Sequence, residues 1–295
     1  MDEQKYLDLL KDVMQNGSER QDRTGTGTLS VFGRQLRFDI SPNVCPILTT
    51  KRIPWKHCIE ELLWFLRGDT NSKILEEKGV KIWKGNSSRD FLDKRNLQNL
   101  QEGDIGPGYG FQWRHYGAVY KGCHLSYENQ GIDQIMNIIN TLKTNPFDRR
   151  IVLSSWNPKD LNNTALPPCH CFAQFYVEKG KDGRNNLSCH MYQRSVDTFL
   201  GFPWNIMSYS VLTKILALKC DMDPKELVIS TGDTHIYTNH IQSVNTQLQR
   251  TPLNPFPQLI LKDRIKDINF SEITIEDFEL IGYKPLEAIK GVMAI

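Results

Sequence analysis

Pro167-Pro168-Cys169-His170-Cys171-Phe172-Ala173-Gln174-Phe175-Tyr176-Val177, then Leu187 to Tyr192, then the apolar run Phe202 to Leu218, is the part of the chain whose reading decides the fold. Phe172 to Val177 and Leu187 to Tyr192 have the aromatic, aliphatic and alternating character of strands. Phe202 to Leu218 is apolar on all sides, the pattern of a buried helix. Together they predict a sheet with a helix packed against it. Working outward, Ile151-Val152-Leu153 and residues 226–231 predict further strands, and Leu29 to Ile40 is β-like. Helical spacing appears over residues 2–15 (Tyr6, Leu9, Leu10, Val13), 55–67, 131–143 (Ile132, Ile135, Met136, Ile139, Leu142) and 238–248. Gly68-Asp69-Thr70-Asn71 ends the second helix and caps the next. Residues 84–108 read as an inserted polar surface loop with a short helix, and the last forty residues as short strands with prolines. No repeat, low-complexity tract or Pro/Ser linker divides the chain. The expectation is one α+β domain over residues 1–295, a large mixed or antiparallel β-sheet flanked by helices.

Composition narrows the function classes. The 295 residues are 39% apolar and 24% charged, ordinary for a folded soluble chain. With 36 basic and 34 acidic side chains the net charge is +2. That gives no overall field toward nucleic acid or an anionic membrane, so any bound anion must be held by a local cluster. No apolar run nears the ~20 residues of a membrane helix; Leu62-Leu63-Trp64-Phe65-Leu66 is flanked by Glu60-Glu61 and Arg67. The start, Met1-Asp2-Glu3-Gln4-Lys5-Tyr6, lacks the order of a secretory signal and is too acidic for a mitochondrial presequence. Seven cysteines without a CxxC pair fit a reducing compartment, cytoplasmic or nuclear. Cys169-His170-Cys171 is too tight for the usual zinc spacing, and no metal is expected.

Several constellations carry chemistry. Two prolines before Cys169 make a rigid mounting for a thiol nucleophile, although a free cysteine is also at home as a small buried hydrophobe. A thiolate needs nearby cations, and Arg149-Arg150 and Arg194 are candidates. In Tyr192-Gln193-Arg194-Ser195-Val196-Asp197, a guanidinium fork beside a hydroxyl suits a phosphate. Arg23, in the turn Asp22-Arg23-Thr24-Gly25-Thr26-Gly27-Thr28, adds a further cation, the alternative for each arginine being surface pairing with acids. His235 and Tyr237 point the same way from an extended segment and reach a sugar hydroxyl, or His235 is structural. Asn205 either caps the apolar helix or reads a pyrimidine edge, since an amide donates and accepts at once. Glu61, if buried within its apolar helix, exchanges protons near neutral pH; otherwise it faces solvent. Tyr109 sits in the glycine-rich Gly106-Pro107-Gly108-Tyr109-Gly110, which reads as a turn.

These segments, with Gln112-Trp113-Arg114 and Gly232-Asp233-Thr234-His235-Ile236-Tyr237, resemble the thymidylate synthase family over nearly the whole chain. The insertion around Ser88-Arg89-Asp90-Phe91-Leu92-Asp93 resembles that of eukaryotic and some viral members, and the likeness is to the monofunctional form. The resemblance implies a homodimer, packed sheet to sheet, that methylates deoxyuridylate (dUMP) with methylenetetrahydrofolate as cosubstrate, giving thymidylate (dTMP) and dihydrofolate. It implies that Cys169 adds to uracil C6, that Glu61 moves protons through water, and that Tyr109 helps with the C5 proton. Arg23, Gln193, Arg194, Ser195, Val196 and Asp197 match nucleotide binders, and Arg149 and Arg150 match a pair that crosses from the partner subunit. His235, Ile236 and Tyr237 match the ribose side, and Asn205 the reader of uracil. Lys51, Ile82, Trp83, Asn86, Leu166, Asp197, Leu200 and Ala294 match folate contacts. Val292-Met293-Ala294-Ile295 matches a segment that closes over the ligands.

Three departures accompany the resemblance. Gly108 replaces a bulkier apolar residue, Trp204 replaces phenylalanine before Asn205, and Lys179 to Asn186 lengthens a turn. The rival readings are a dUMP hydroxymethylase of the same superfamily, an unrelated cysteine hydrolase and a nucleic-acid-binding role. The cytosine-specific hydroxymethylase carries aspartate at the Asn205 position, a hydrolase leaves the arginines unexplained, and no basic–aromatic stripe supports nucleic acid.

Overall fold

The computed structural model describes residues 2–253 and 256–294. Its centre is one six-stranded sheet made of β1 (Ser18–Arg20), β2 (Thr28–Asp39), β3 (Val152–Ser154), β4 (His170–Lys179), β5 (Asn185–Asp197) and β6 (Asp223–Tyr237), in the order β1-β2-β6-β5-β4-β3. The pairings are antiparallel except β5 with β6, which run parallel. Parallel neighbours need a crossover, and α7 (Gly201–Lys219) supplies it. The fold is therefore α+β with a mixed sheet flanked by helices. A separate two-stranded ribbon pairs β7 (Gln258–Leu261) with β8 (Phe278–Ile281).

Strand alternation makes one sheet face the core. Ala173, Phe175 and Val177 of β4, and Leu187, Cys189 and Met191 of β5, are buried. Against this face pack α7 and α1 (Asp2–Asn16), with α2 (Trp55–Arg67) behind α7. Glu3 anchors α1: its carboxylate accepts from the backbone N–H and hydroxyl of both Thr49 and Thr50 at 2.6–3.0 Å. Every residue of α2 from Cys58 to Leu66 is buried, and Gly68 ends it in the left-handed region (φ 81°) that glycine adopts without strain. The opposite face carries Phe172, Tyr176 and Tyr192; Phe172 and Tyr192 are register partners and Tyr176 is 63% exposed. Among the described residues no helix is long and apolar enough to cross a membrane.

Some expectations needed correction. Residues 84–108 are not a surface loop, for Asn86, Ser87, Leu92, Leu97, Leu100, Asp104 and Ile105 are buried around α4 (Arg89–Lys94). Their polar groups bond inward: Asp104 accepts from Tyr120 at 2.6 Å and from the Gly106 and Cys123 amides at 2.7 and 3.1 Å. Tyr109 opens a helix, α5 (Tyr109–His115), with Gly108 at its N-cap, rather than sitting on a turn. Residues 231–237 continue β6, beyond the strand expected over 226–231. The helix expected over 131–143 is α6 (Gln134–Thr144), whose buried face is Ile135, Ile138, Ile139 and Leu142; Ile132 and Met136 are exposed. Of residues 238–248, the first three form a 3-10 turn before α8 (Ile241–Leu248). The lengthened turn is a hairpin whose pairing runs out to Lys179 and Asn185.

Candidate active site

A cavity of about 870 Å³ opens where β5 and β6 end. Gln193, Arg194, Ser195 and Asp197 reach it from β5, and Asp233, His235 and Tyr237 from β6. Cys169 enters just before β4.

The mounting of Cys169 is set by its neighbours. Arg194 donates through Nε to the Pro168 carbonyl and through a terminal nitrogen to the Pro167 carbonyl, both at 2.8 Å, and lies over Trp156. One guanidinium thereby fixes the two prolines and adds positive charge beside the thiol. The Cys169 amide donates to the Tyr109 hydroxyl at 2.6 Å. Burial raises the Cys169 pKa, while Arg194, the Tyr109 hydroxyl and Arg23 pull it down. Tyr109 stacks on His170 with ring centres 4.1 Å apart, and His170 bonds Tyr209 at 2.9 Å. Burial holds His170 neutral, its pKa lowered to about 3.

Arg23 lies in a loop that Asp22 organises by accepting from the Thr24 and Gly27 amides at 2.9 and 2.8 Å. Gly25 and Gly27 have φ of 72° and 82°, the left-handed backbone this tight loop requires. Arg23 lies over Phe91, and with Arg194 and Ser195 it lines the cavity. Asn205 is the fifth residue of α7 and not its cap, which is Leu200. Its Oδ1 accepts from Gln193 Nε2 at 2.9 Å, which turns the Asn205 amino group outward as a donor. Gln193 Oε1 is buried without a partner, an acceptor ready for a ligand. His235 donates from Nδ1 to Asp233 at 2.9 Å, leaving Nε2 for other bonds.

Glu61 sits in the middle of buried α2. Its Oε1 accepts from Trp83 Nε1 at 2.7 Å and its Oε2 from Trp204 Nε1 at 2.6 Å. Burial raises its pKa to about 7 and the two indole bonds oppose the rise. Its neighbour Glu60 instead pairs with Lys78 at 2.6 Å.

Ile82, Trp83, Leu166 and Leu200 give the cavity an apolar wall, with Asn86 and Ala294 also lining it. Such a wall suits the apolar part of a small ligand. Lys51 lines the cavity too, but its ammonium donates to the Phe199 carbonyl and lies over the Phe199 ring. Burial lowers its pKa to about 7, against the pull of Asp197. The chain's last segment is docked by its backbone. Thr49 O accepts from the Leu286 amide at 2.8 Å, Lys290 O from Ser243 at 3.1 Å, and Val292 O from His240 Nε2 at 2.8 Å. A Cβ on Gly291 would lie 2.9 Å from Phe199 and 3.1 Å from His240. Gly291, Met293 and Ala294 line the cavity, whereas Ile295 falls outside the described residues.

Not every expected residue reaches the cavity. Val196 and Ile236 alternate into the core, so only their backbone is available to a ligand. Arg149 and Arg150 are not among the lining residues; Arg150 is 88% exposed and pairs with Asp148 at 2.8 Å. Sequence reasoning missed His170, Asp233, Phe91 and Arg95 in the lining, and Trp204 as a partner of Glu61. The aromatic Trp204 beside Asn205 was the available signal for the last. Among the described residues no group of three or more His, Cys, Asp or Glu is arranged to hold a metal.

A thiol, an arginine-lined anion pocket and a buried carboxyl thus share one cavity, the layout of a covalent-catalysis enzyme for a small anionic substrate. Residues 4–295 match the family model of thymidylate synthase, and the chain belongs to that family. It is 50% identical to a thymidylate synthase of Candida albicans, the match covering 99% of this chain and 98% of the relative. It is likewise 50% identical to a thymidylate synthase of Saccharomyces cerevisiae, over 100% of this chain and 97% of the relative. A bifunctional dihydrofolate reductase-thymidylate synthase of Zea mays is also 50% identical over 100% of this chain, which spans only 55% of that relative. The chain thus spans about half the length of the bifunctional relatives it matches.

Proposed function

We propose that this chain catalyses the reductive methylation of deoxyuridylate by methylenetetrahydrofolate, giving thymidylate and dihydrofolate, in the cytoplasm or nucleus. The observation that carries the reading is the Cys169 thiol beside Arg194 and Tyr109, in one cavity with the Gln193–Asn205 amide pair. Arg23, Arg194 and Ser195 hold the phosphate by charge-assisted hydrogen bonds. His235 and Tyr237 take the ribose. The Asn205 amino group donates to uracil O4, which selects uracil over cytosine, whose edge carries a donor there. Cys169 adds through Sγ to C6, and the electron pair moves toward C5 and O4, making C5 nucleophilic. Glu61 exchanges protons with the base through water, and Tyr109 assists removal of the C5 proton. When bound, methylenetetrahydrofolate supplies the one-carbon unit and the hydride. Ile82, Trp83, Asn86, Leu166, Asp197 and Leu200 hold it, Lys51 lies nearby, and Ala294 helps exclude water. Mixing protein, deoxyuridylate and methylenetetrahydrofolate is expected to give a nucleotide one methyl group heavier. A hydroxymethyl product, or none from folded protein, overturns the reading.

The working form is a homodimer joined through the exposed sheet face. Phe172, Tyr176 and Tyr192 form an apolar surface there, of the kind that marks a protein–protein contact. Arg149 and Arg150, outside their own chain's cavity, reach the partner's phosphate site. Mixed dimers of Cys169→Ala and Arg149→Ala subunits are therefore expected to recover activity above either parent, because one of the two sites is intact. Heterodimers that form without any recovery would assign Arg149 to its own subunit.

A further inference from the structure

Glu61 is a buried acid with both oxygens occupied from opposite walls. Trp83 donates to Oε1 from the segment that follows α3 (Ser72–Glu77), and Trp204 donates to Oε2 from the first turn of α7. Phenylalanine, the residue the resemblance leads one to expect at position 204, has no donor to offer. We propose that Trp204 is a positioning residue for Glu61, its indole N–H pinning the second carboxylate oxygen so that the acid is held between α7 and Trp83.

The physics of the pair is one-sided. An indole N–H only donates, so each bond favours the ionised carboxylate over the protonated acid. In a buried site a lost donor is not freely replaced by water, and a bond to a charged group is stronger than a neutral one. The bonds also hold the carboxylate in a single rotamer. The other titratable groups around this wall do not compete for it. Glu60 is taken by Lys78, His170 is held neutral by burial, Cys58 is a buried thiol on the same helix, and Tyr109 accepts from the Cys169 amide. Among the described residues no lysine or arginine contributes to Glu61's shift, whose causes are burial and the two indoles. Trp204 also abuts Asn205, so one turn of α7 carries both the reader of the base and the holder of the acid.

The catalytic consequence rests on the proposed function, because it needs Glu61 to move a proton in turnover; the pinning itself does not. Infrared titration of the full-length protein, with Glu61→Gln subtracted, reads the Glu61 carboxyl directly. In Trp204→Phe its midpoint is expected to rise by about one pH unit, a tenfold change in the protonation equilibrium. The limb of the pH–kcat profile that reports Glu61 should move by the same amount. If that variant does not fold, the wild-type indole N–H resonance of Trp204 serves instead; it should move as Glu61 titrates and lose that response in Glu61→Gln. A midpoint unchanged in Trp204→Phe, or an indole proton indifferent to Glu61, overturns the inference. If the wild-type protein makes no thymidylate while Trp204→Phe still raises the Glu61 midpoint, the functional reading is overturned and the pinning stays intact.

Discussion

Cys169→Ala is expected to cut turnover by about 10⁵-fold or more, the scale on which loss of an enzymic nucleophile is felt, while deoxyuridylate still binds. The substitution deletes one sulphur and nothing else that holds the nucleotide. Arg194 keeps its bonds to the Pro167 and Pro168 carbonyls, so the loop and the guanidinium stay in place. Gln193 still orients Asn205. Binding without turnover is therefore the signature, read by calorimetry beside an assay of thymidylate formation. Turnover within about a hundredfold of wild type would exclude Cys169 as the nucleophile, since general acid–base help alone spans about 10²–10⁴.

Glu61→Gln should lower kcat by about 10²–10⁴, the usual reach of a positioned acid or base. The amide has nearly the same shape but does not titrate, and its amino group meets one of the two indole donors head on. With the carboxyl raised to about 7 by burial, both protonation states are populated at neutral pH, which is what a group that gives and takes protons requires. The same shift has a signature in stability. The folded chain binds the Glu61 proton more tightly than the unfolded chain, whose carboxyl has its ordinary value of 4.5. Its contribution is therefore present below pH 4.5 and is lost as pH rises to about 7. In denaturant titrations the stability of wild type relative to Glu61→Gln should fall with rising pH across that window; the opposite contribution of His170, neutral in the folded chain, is common to both and drops out of the difference. A kcat reduced less than tenfold, with no such fall in the difference, would remove Glu61 from both roles.

Much of this site could be read from residue order, because strands and buried helices leave strong local patterns. The bounds of α2 at Trp55 and Arg67 were legible, since the apolar run ends on a glycine that terminates a helix. So were β4 and β5, from their alternation, and the rigid mounting of Cys169, from two prolines. The same periodicity failed where polar residues bond inward. Residues 84–108 looked solvent-facing because nothing in their order reveals that Tyr120 and two amides, from 106 and 123, satisfy Asp104. Glu61 showed the same limit: its burial could be guessed from its helix, but its two indole partners lie 22 and 143 residues away. Arg149 and Arg150 looked like members of the anion cluster on charge alone, yet the fold turns them from their own cavity.

The docking of residues 286–292 has a further meaning. Those bonds are made by peptide groups, at Leu286, Lys290 and Val292, to Thr49, Ser243 and His240. Backbone groups therefore carry much of the fit, beside Ile289, which packs against the core, and Gly291, where a Cβ would crowd Phe199 and His240. What the segment encodes is a distance: four residues between the Leu286 anchor and the glycine that must slip past two rings. Changing its letters leaves that distance intact, whereas adding or removing one residue puts every downstream carbonyl out of step with its donor.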